Sequence, residues 1–473
     1  MKTTLNPRHL TEMLRMQAER YPDRPAVIYY ESGTGKGMDA GSDLNAGCGS
    51  DNGTAECISY QTFYEDILNR AAVLEKSGPQ VEGILPDGSY ASVVEIFAAN
   101  AAGSTVVMLE PSEDPSLMKQ RIEKTDVSLL WTWGGAHELG KKEAEAVEDR
   151  ILFFTSGTTA SARAVELSGE SLLASAYNGS QALPLTPEDR LLCILPLYHV
   201  FGFVCSLLWG LVNGASVALG RGQRHLMDDL EFFHPTVVSL VPVLFEFYLK
   251  RNLFNPELKT ILIGAGGCPK ELIEMARNRG IHVCFGYGLT ETSSGVALST
   301  GGDLYAMDVC VEDKVTISPE GEILVESPAC MMKGYYRDPE ATAEVLKDGV
   351  LHTGDIGFLD SGGRLHVTGR MKDILVLPDG TKIFLPEYEA IIMRALPDLE
   401  TACGEEDGEI ILYYYGDWEV KQVEDVLSGL MSLMPRGHQV RHIVRRSAPI
   451  PRNAAGKIVR SQLADKRNDH DKR

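Results

Sequence analysis

Long apolar runs are missing from this chain: no stretch approaches the roughly eighteen consecutive apolar residues that a membrane-spanning helix needs. The opening residues, MKTTLNPRHLTEMLRMQ, also lack the apolar core of a secretory signal. The expectation is a cytoplasmic protein without an integral membrane segment. Positive charge is scarce: 45 Lys and Arg stand against 66 Asp and Glu, a net charge of −21. Such a surface repels polyanions, so nucleic acid is not an expected partner. The nine cysteines are odd in number and form no C-x-x-C pair, which argues against a disulfide framework or a structural zinc. What remains is ordinary for a globular protein, 44% hydrophobic and 23% charged, and 473 residues suggest two or three domains.

Leu10, Met13, Leu14, Ala18 and Tyr21 recur at helical spacing, so an amphipathic helix opens the chain and ends near Pro22. The strand AVIYY follows, and residues 31–56 then collapse to Gly, Ser, Asp, Asn and Ala, a solvated loop between two strands. From Ser59 onward helical and β-branched segments alternate, including TVVML, LLCIL, ASVAL, TVVSLV, KTILI and IHVCF. Short continuous apolar strands between helices predict an α/β fold: a large layered N-terminal domain with mostly parallel sheets over residues 1–370. Residues 371–473 carry a different pattern, with a helix near 387–396, strands EIILYYY and VRHIVRR, and an amphipathic helix. They predict a small, mobile α+β C-terminal domain joined at about residues 370–373.

The chemistry-bearing stretches sit where those strands end, the place where ligands gather in open α/β sheets. The strand at 151–154 runs into Thr155, Ser156, Gly157, Thr158 and Thr159, a loop whose backbone N–H groups and hydroxyls suit anionic oxygens. LPLYHVFGF delivers His199 onto a turn before an apolar helix. GAGGCP supplies Gly264, Ala265, Gly266 and Gly267, small enough for a planar group to lie on bare backbone. GYGLTET offers Tyr287 for stacking, the small Gly288, Thr290 for a phosphate oxygen and Glu291 as a Mg²⁺ carboxylate. In HTGDIGFLDSGGRLHVTGR a hairpin centred at Gly362 sets residue 355 opposite 369, bringing Asp355 beside Arg370, a pairing that suits the two hydroxyls of a ribose. PIPRNAAGKIVR ends on Lys457 behind a small, flexible segment. Taken singly, each has a plainer reading: a Ser/Thr turn, a core histidine, a surface ion pair, a solvated lysine.

The order and spacing of YGLTE, HTGD…GR and PR…GKIVR resemble the adenylate-forming superfamily of acyl-CoA synthetases and AMP-binding enzymes, over nearly the whole chain. The resemblance implies activation of a carboxylic acid by Mg-ATP to an acyl-adenylate with pyrophosphate release, then transfer to a thiol, usually CoA. It further implies that residues 155–159 and Arg163 cradle the β- and γ-phosphates and that Thr290 and Glu291 serve the α-phosphate and Mg²⁺. Gly264 to Gly267, Tyr287 and Gly288 would enclose adenine, Asp355 and Arg370 would hold the ribose, and His199 would line the acyl pocket. Lys457 would bridge the carboxylate and the α-phosphate, stabilising charge as it develops. Lys372 would be the hinge of a rotating small domain, which presents the 377–382 loop to the thiol.

The chain departs from the family pattern after the two threonines. Glycine, any residue, proline, lysine, glycine becomes Ala160, Ser161, Ala162, Arg163, Ala164, a stiffer loop with a planar cation in place of a compact one. The length of LPDGTK is like that of the long-chain fatty acyl branch, and YGLTE in place of YGPTE leans away from amino-acid activation. Arg436, Arg441, Arg445, Arg446, Arg452, Lys457 and Arg460 gather near the end of an otherwise acidic chain, a basic face for CoA phosphates or for an acidic carrier protein, or equally a solvated tail that offsets the acidic body. The expectation is an acid–thiol ligase acting on a fatty or other carboxylic acid, a fatty acid being favoured, and using ATP, Mg²⁺ and CoA. The alternatives are a ligase that loads an acyl carrier protein, or a non-catalytic relative with a degraded phosphate loop.

Overall fold

The computed structural model describes residues 7–31, 54–140, 145–155, 162–252, 255–300, 302–303, 305–376, 382–406, 409–432, 434, 439–452 and 458–464. The described chain forms two compact units. The larger comprises residues 1–316, 324–353 and 359–366; the smaller comprises 317–323, 354–358 and 367–473.

Two sheets dominate the larger unit. A nine-stranded sheet contains the consecutive parallel neighbours Thr260–Ile263, Val237–Leu240, Arg190–Cys193, Ser216–Leu219 and Pro25–Glu31, with His282–Leu289 parallel to Thr260–Ile263 at one end. A seven-stranded sheet runs parallel through Ile151–Phe154, Thr105–Met108, Val81–Ile84 and Leu129–Thr132. These strands are β-branched or leucine-rich and most are buried along their length, as parallel strands covered on both faces must be. Antiparallel strands finish the sheets. Thr54–Ser59 pairs with Pro25–Glu31, so the Gly/Ser-rich segment does join two neighbouring strands.

Serine caps start several of the covering helices. Ser59 and Ser89 accept from the backbone N–H three residues on, and Ser168 forms a reciprocal capping box with Ser171. No helix among the described residues is long and apolar enough to cross a membrane. Seven of the eight described cysteines are buried or half-buried.

The smaller unit is α+β. Strands Glu400–Glu406 and Glu409–Tyr415 pair antiparallel, Val440–Arg445 adds in parallel, and helices Leu385–Ala395 and Val420–Ser432 belong with them. Val423, Leu427 and Met431 are the buried face of the second helix. Val426 on the same helix is 41% exposed.

Candidate active site

The strand Ile151–Phe154 does not simply end in the phosphate-loop motif; it returns as Ala164–Leu167, with Phe154 opposite Ala164. One further rung closes the neck of this hairpin. Thr155 N–H donates to the Arg163 carbonyl at 2.9 Å, and Arg163 N–H donates to the Thr155 hydroxyl at 3.1 Å. Thr155 therefore pins the loop. Ser156, Gly157, Thr158 and Thr159 lie outside the described residues.

GYGLTET forms a bulged corner. The strand His282–Leu289 pairs in parallel through Phe285 and then turns antiparallel against Ser294–Leu298, with its register shifting between Tyr287 and Gly288. Gly288 is required there, because a Cβ would lie 1.5 Å from the Ser294 carbonyl oxygen. Thr290–Thr292 makes a short 3₁₀ turn, fixed where Leu289 N–H donates to the Thr292 hydroxyl at 3.1 Å. Glu291, at the centre, accepts Met332 N–H on its carbonyl at 2.8 Å.

Tyr335 joins these two motifs. Its hydroxyl donates to Glu291 Oε1 at 2.7 Å, and the Arg163 guanidinium lies over its ring, 4.8 Å from the centroid. Arg163 also reaches Glu344 at 3.5 Å. Burial and the neighbouring Glu291 carboxylate push the Tyr335 phenol well above its ordinary range, so it stays a neutral donor. Sequence reasoning passed over Tyr335: MMKGYYRDP has no charge pattern or glycine spacing that announces a site.

His199 precedes a helical run, Val200–Gly202, Phe203–Leu208 and Trp209–Val212, whose middle segment is π-helical. A π turn redirects backbone carbonyls, and here the Ser239 hydroxyl donates to the Cys205 carbonyl at 2.8 Å. Cys205 Sγ lies 3.4 Å from Ser294 Oγ, next to the GYGLTET corner. Phe201 packs against Gly264, where a Cβ would come within 2.7 Å of its ring. The helical run thus touches the Gly264–Gly267 loop at Phe201 and Ser294 at Cys205. Ala265, in that loop, adopts the left-handed region at φ 64°. His199 is depressed below its ordinary pKa mainly by burial, with Glu110 opposing the shift and Arg121 adding to it. Arg121 stacks over Phe154, 4.4 Å from the ring centroid, and pairs with Glu113. Glu110 and Arg121 are thus charged neighbours of His199.

In the smaller unit, Arg370 Nε lies 2.8 Å from Asp355 Oδ1, as the hairpin count requires. The Thr368 hydroxyl donates to the Ile356 carbonyl at 3.1 Å, one step further in and in the same register. Lys457 and residues 377–381 lie outside the described residues, as does the Lys372 side chain. The expected basic face is thinned by internal bonding. Arg446 is 8% exposed and donates to the Ala448, Gln462 and Leu463 carbonyls. Arg460 makes a bidentate pair with Glu389, at 2.6 and 3.0 Å, and a further bond to Asp373. Arg445 pairs with Glu419.

No group of three or more His, Cys, Asp or Glu that could hold a metal occurs among the described residues. A single half-buried carboxylate, Glu291, fits a magnesium ion that takes its remaining ligands from phosphates and water.

The chain thus has a layered α/β fold in which the neck of the Ile151–Leu167 hairpin is tied through Tyr335 to the Glu291 turn. The family described as AMP-binding enzyme matches residues 141–336 of the chain. A 2-succinylbenzoate–CoA ligase of Bacillus cytotoxicus is 26% identical over 83% of this chain and 88% of its own length. The O-succinylbenzoate coenzyme A synthetase (MenE) of Bacillus subtilis in complex with AMP shares the fold at TM-score 0.78 and 22% identity, covering 96% of this chain and 98% of the other. The same synthetase in complex with ATP and magnesium gives TM-score 0.76 and 21% identity, with 95% and 98% covered. The fatty-acid expectation is corrected here. The length of LPDGTK suggested it, but these relatives are named for an aromatic acid. Their names also specify CoA as acceptor, and nothing in them supports a carrier protein.

Proposed function

We propose that this chain is an AMP-forming acid–CoA ligase whose acid is aromatic and of the 2-succinylbenzoate class. The supporting observation is the Arg163–Tyr335–Glu291 connection, which ties the hairpin neck at Thr155 and Arg163 to the acidic turn proposed to hold magnesium. In the first half-reaction a carboxylate oxygen attacks the α-phosphorus and pyrophosphate leaves. In the second, the CoA thiolate attacks the acyl carbonyl carbon and AMP leaves.

The protein's part is placement and charge stabilisation. Ser156, Gly157, Thr158 and Thr159 would bind the β- and γ-phosphates, with Thr155 closing the loop behind them. Thr290 would contact the α-phosphate and Glu291 would hold magnesium, which neutralises phosphate charge when bound. Gly264, Ala265, Gly266, Gly267, Tyr287 and Gly288 would receive adenine, and Asp355 and Arg370 the ribose. Lys457 would meet the reacting carboxylate. His199, kept neutral by burial, would line the acid site without competing for it as a cation.

Pyrophosphate release and thioester formation, measured with Mg-ATP and CoA across 2-succinylbenzoate, benzoates and saturated fatty acids, test this reading. Turnover on 2-succinylbenzoate that a Lys457→Ala variant loses is the expected result. A preference for fatty acids would overturn the acid assignment, and no acid-dependent release with any substrate would overturn the ligase reading.

A further inference from the structure

We infer that Tyr335 is a positioning residue for Glu291, and that Arg163, standing where the family has lysine, acts through the Tyr335 ring to couple the phosphate-loop neck to the magnesium carboxylate. The inference rests on the proposed role of Glu291.

The geometry is that of one continuous support. The strand Gly334–Tyr335 pairs with Ala164–Leu167, the strand that leaves the phosphate loop, with Tyr335 opposite Val165. Backbone bonds on either side hold it in register: Lys333 N–H to the Glu166 carbonyl at 2.8 Å and Tyr336 N–H to the Ala164 carbonyl at 2.7 Å. Tyr335 N–H itself donates to the Thr342 hydroxyl at 2.9 Å. Tyr335 as a whole is 8% exposed, and its side chain leaves the strand in a direction fixed by that pairing.

At the far end the phenol gives its one proton to Glu291 Oε1 at 2.7 Å. A neutral donor orients a carboxylate without cancelling the charge that magnesium needs, whereas a cation at the same distance would compete with the metal. Metal-ligating carboxylates are commonly fixed by such outer partners. The Arg163 guanidinium is held on the ring face and by Glu344, so its planar shape is used where a lysine would be only a point charge. The departure of the loop from the family pattern thus has a local counterpart, a cation committed to the support of Glu291.

The test is the Mg²⁺ dependence of ATP binding to the full chain, followed by titration calorimetry, which needs no knowledge of the acid. Tyr335→Phe should raise the Mg²⁺ concentration for half-maximal binding about 10-fold. Metal-free ATP binding and the melting temperature should stay near their original values. Arg163→Lys keeps the charge and loses the planar stack, so it should shift the same midpoint about 3-fold. Combined with Tyr335→Phe it should add little, because it acts through the ring. Glu291→Gln is the control for the underlying reading. If Glu291→Gln shifts the midpoint and Tyr335→Phe does not, the inference fails and the role of Glu291 stands. If Glu291→Gln leaves the midpoint unchanged, the role of Glu291 fails and takes the inference with it. Should Tyr335→Phe not fold, Arg163→Lys decides, and an unshifted midpoint there overturns the coupling.

Discussion

Asp355 and Arg370 meet at the open end of one hairpin, Oδ1 2.8 Å from Nε, with very unequal burial. Asp355 is 4% exposed, whereas the Arg370 side chain is 52% exposed. The carboxylate is therefore fixed from inside and the guanidinium turns its remaining donors outward. If the pair holds the ribose hydroxyls, Asp355→Ala removes a charged acceptor worth about 1.5–3 kcal/mol, or roughly a 10- to 100-fold rise in KM for ATP. Arg370→Lys keeps the charge but not the fork and should raise KM less. Steady-state pyrophosphate release at saturating acid measures both. An unchanged KM in Asp355→Ala would remove the ribose assignment.

Two glycines of the proposed nucleotide loops should respond to very different degrees. A Cβ at Gly288 would overlap the Ser294 carbonyl oxygen, whereas a Cβ at Gly267 meets nothing within 4 Å. Gly288→Ala should force the bulged corner apart and lower stability by more than about 3 kcal/mol. Gly267→Ala should stay within about 0.5 kcal/mol of the parent and act only on nucleotide affinity. Chemical denaturation beside ATP titration separates the two, and equal destabilisation by both would contradict the packing described.

The Asp355–Arg370 pairing was legible because a hairpin is a local ruler. Ser361, Gly362 and Gly363 mark its tip, and counting outward fixes which residues meet. The parallel strands were legible for a similar reason, since apolar runs such as TVVSLV have to be covered on both faces. Tyr335 was not, because its contact with Glu291 joins residues 44 apart in sequence and depends on strand pairing. The basic C-terminal stretch misled in the same way. Counting Arg445, Arg446 and Arg460 as solvent-facing charge ignored acceptors far along the chain, Glu389 lying 71 residues from Arg460. Composition reports charge, and only the fold reports how much of it is already bound.

His199 carries a pH dependence whose direction follows from burial. Its folded pKa lies below the ordinary 6.5, so the unfolded chain takes up this proton more readily than the folded one. The stability it contributes is present above pH 6.5 and is lost as pH falls through the lower folded value. His199→Gln should flatten the fall in unfolding free energy on the acid side of pH 6.5 and leave the region above it little changed. Urea denaturation at a series of pH values reads the slope, and a variant as steep as the parent would place the acid sensitivity elsewhere.

Arg460 gives the clearest case of a residue whose sequence setting suggested an exposed partner surface and whose bonding is internal. Its guanidinium holds both oxygens of Glu389, which is itself 4% exposed and also accepts Cys403 N–H at 2.6 Å. Further bonds run to the Cys403 carbonyl at 2.7 Å and to Asp373 at 3.0 Å. Removing one member of such a network leaves charge in a poorly solvated place, at a cost of about 3–5 kcal/mol. Arg460→Ala should therefore destabilise the smaller unit strongly, while Arg460→Ala with Glu389→Leu should recover much of the loss, because the buried charge goes with its partner. Both are measured by denaturation and hydrogen exchange of residues 382–464. If Arg460→Ala instead left stability intact and weakened CoA binding alone, Arg460 would belong to the acceptor surface.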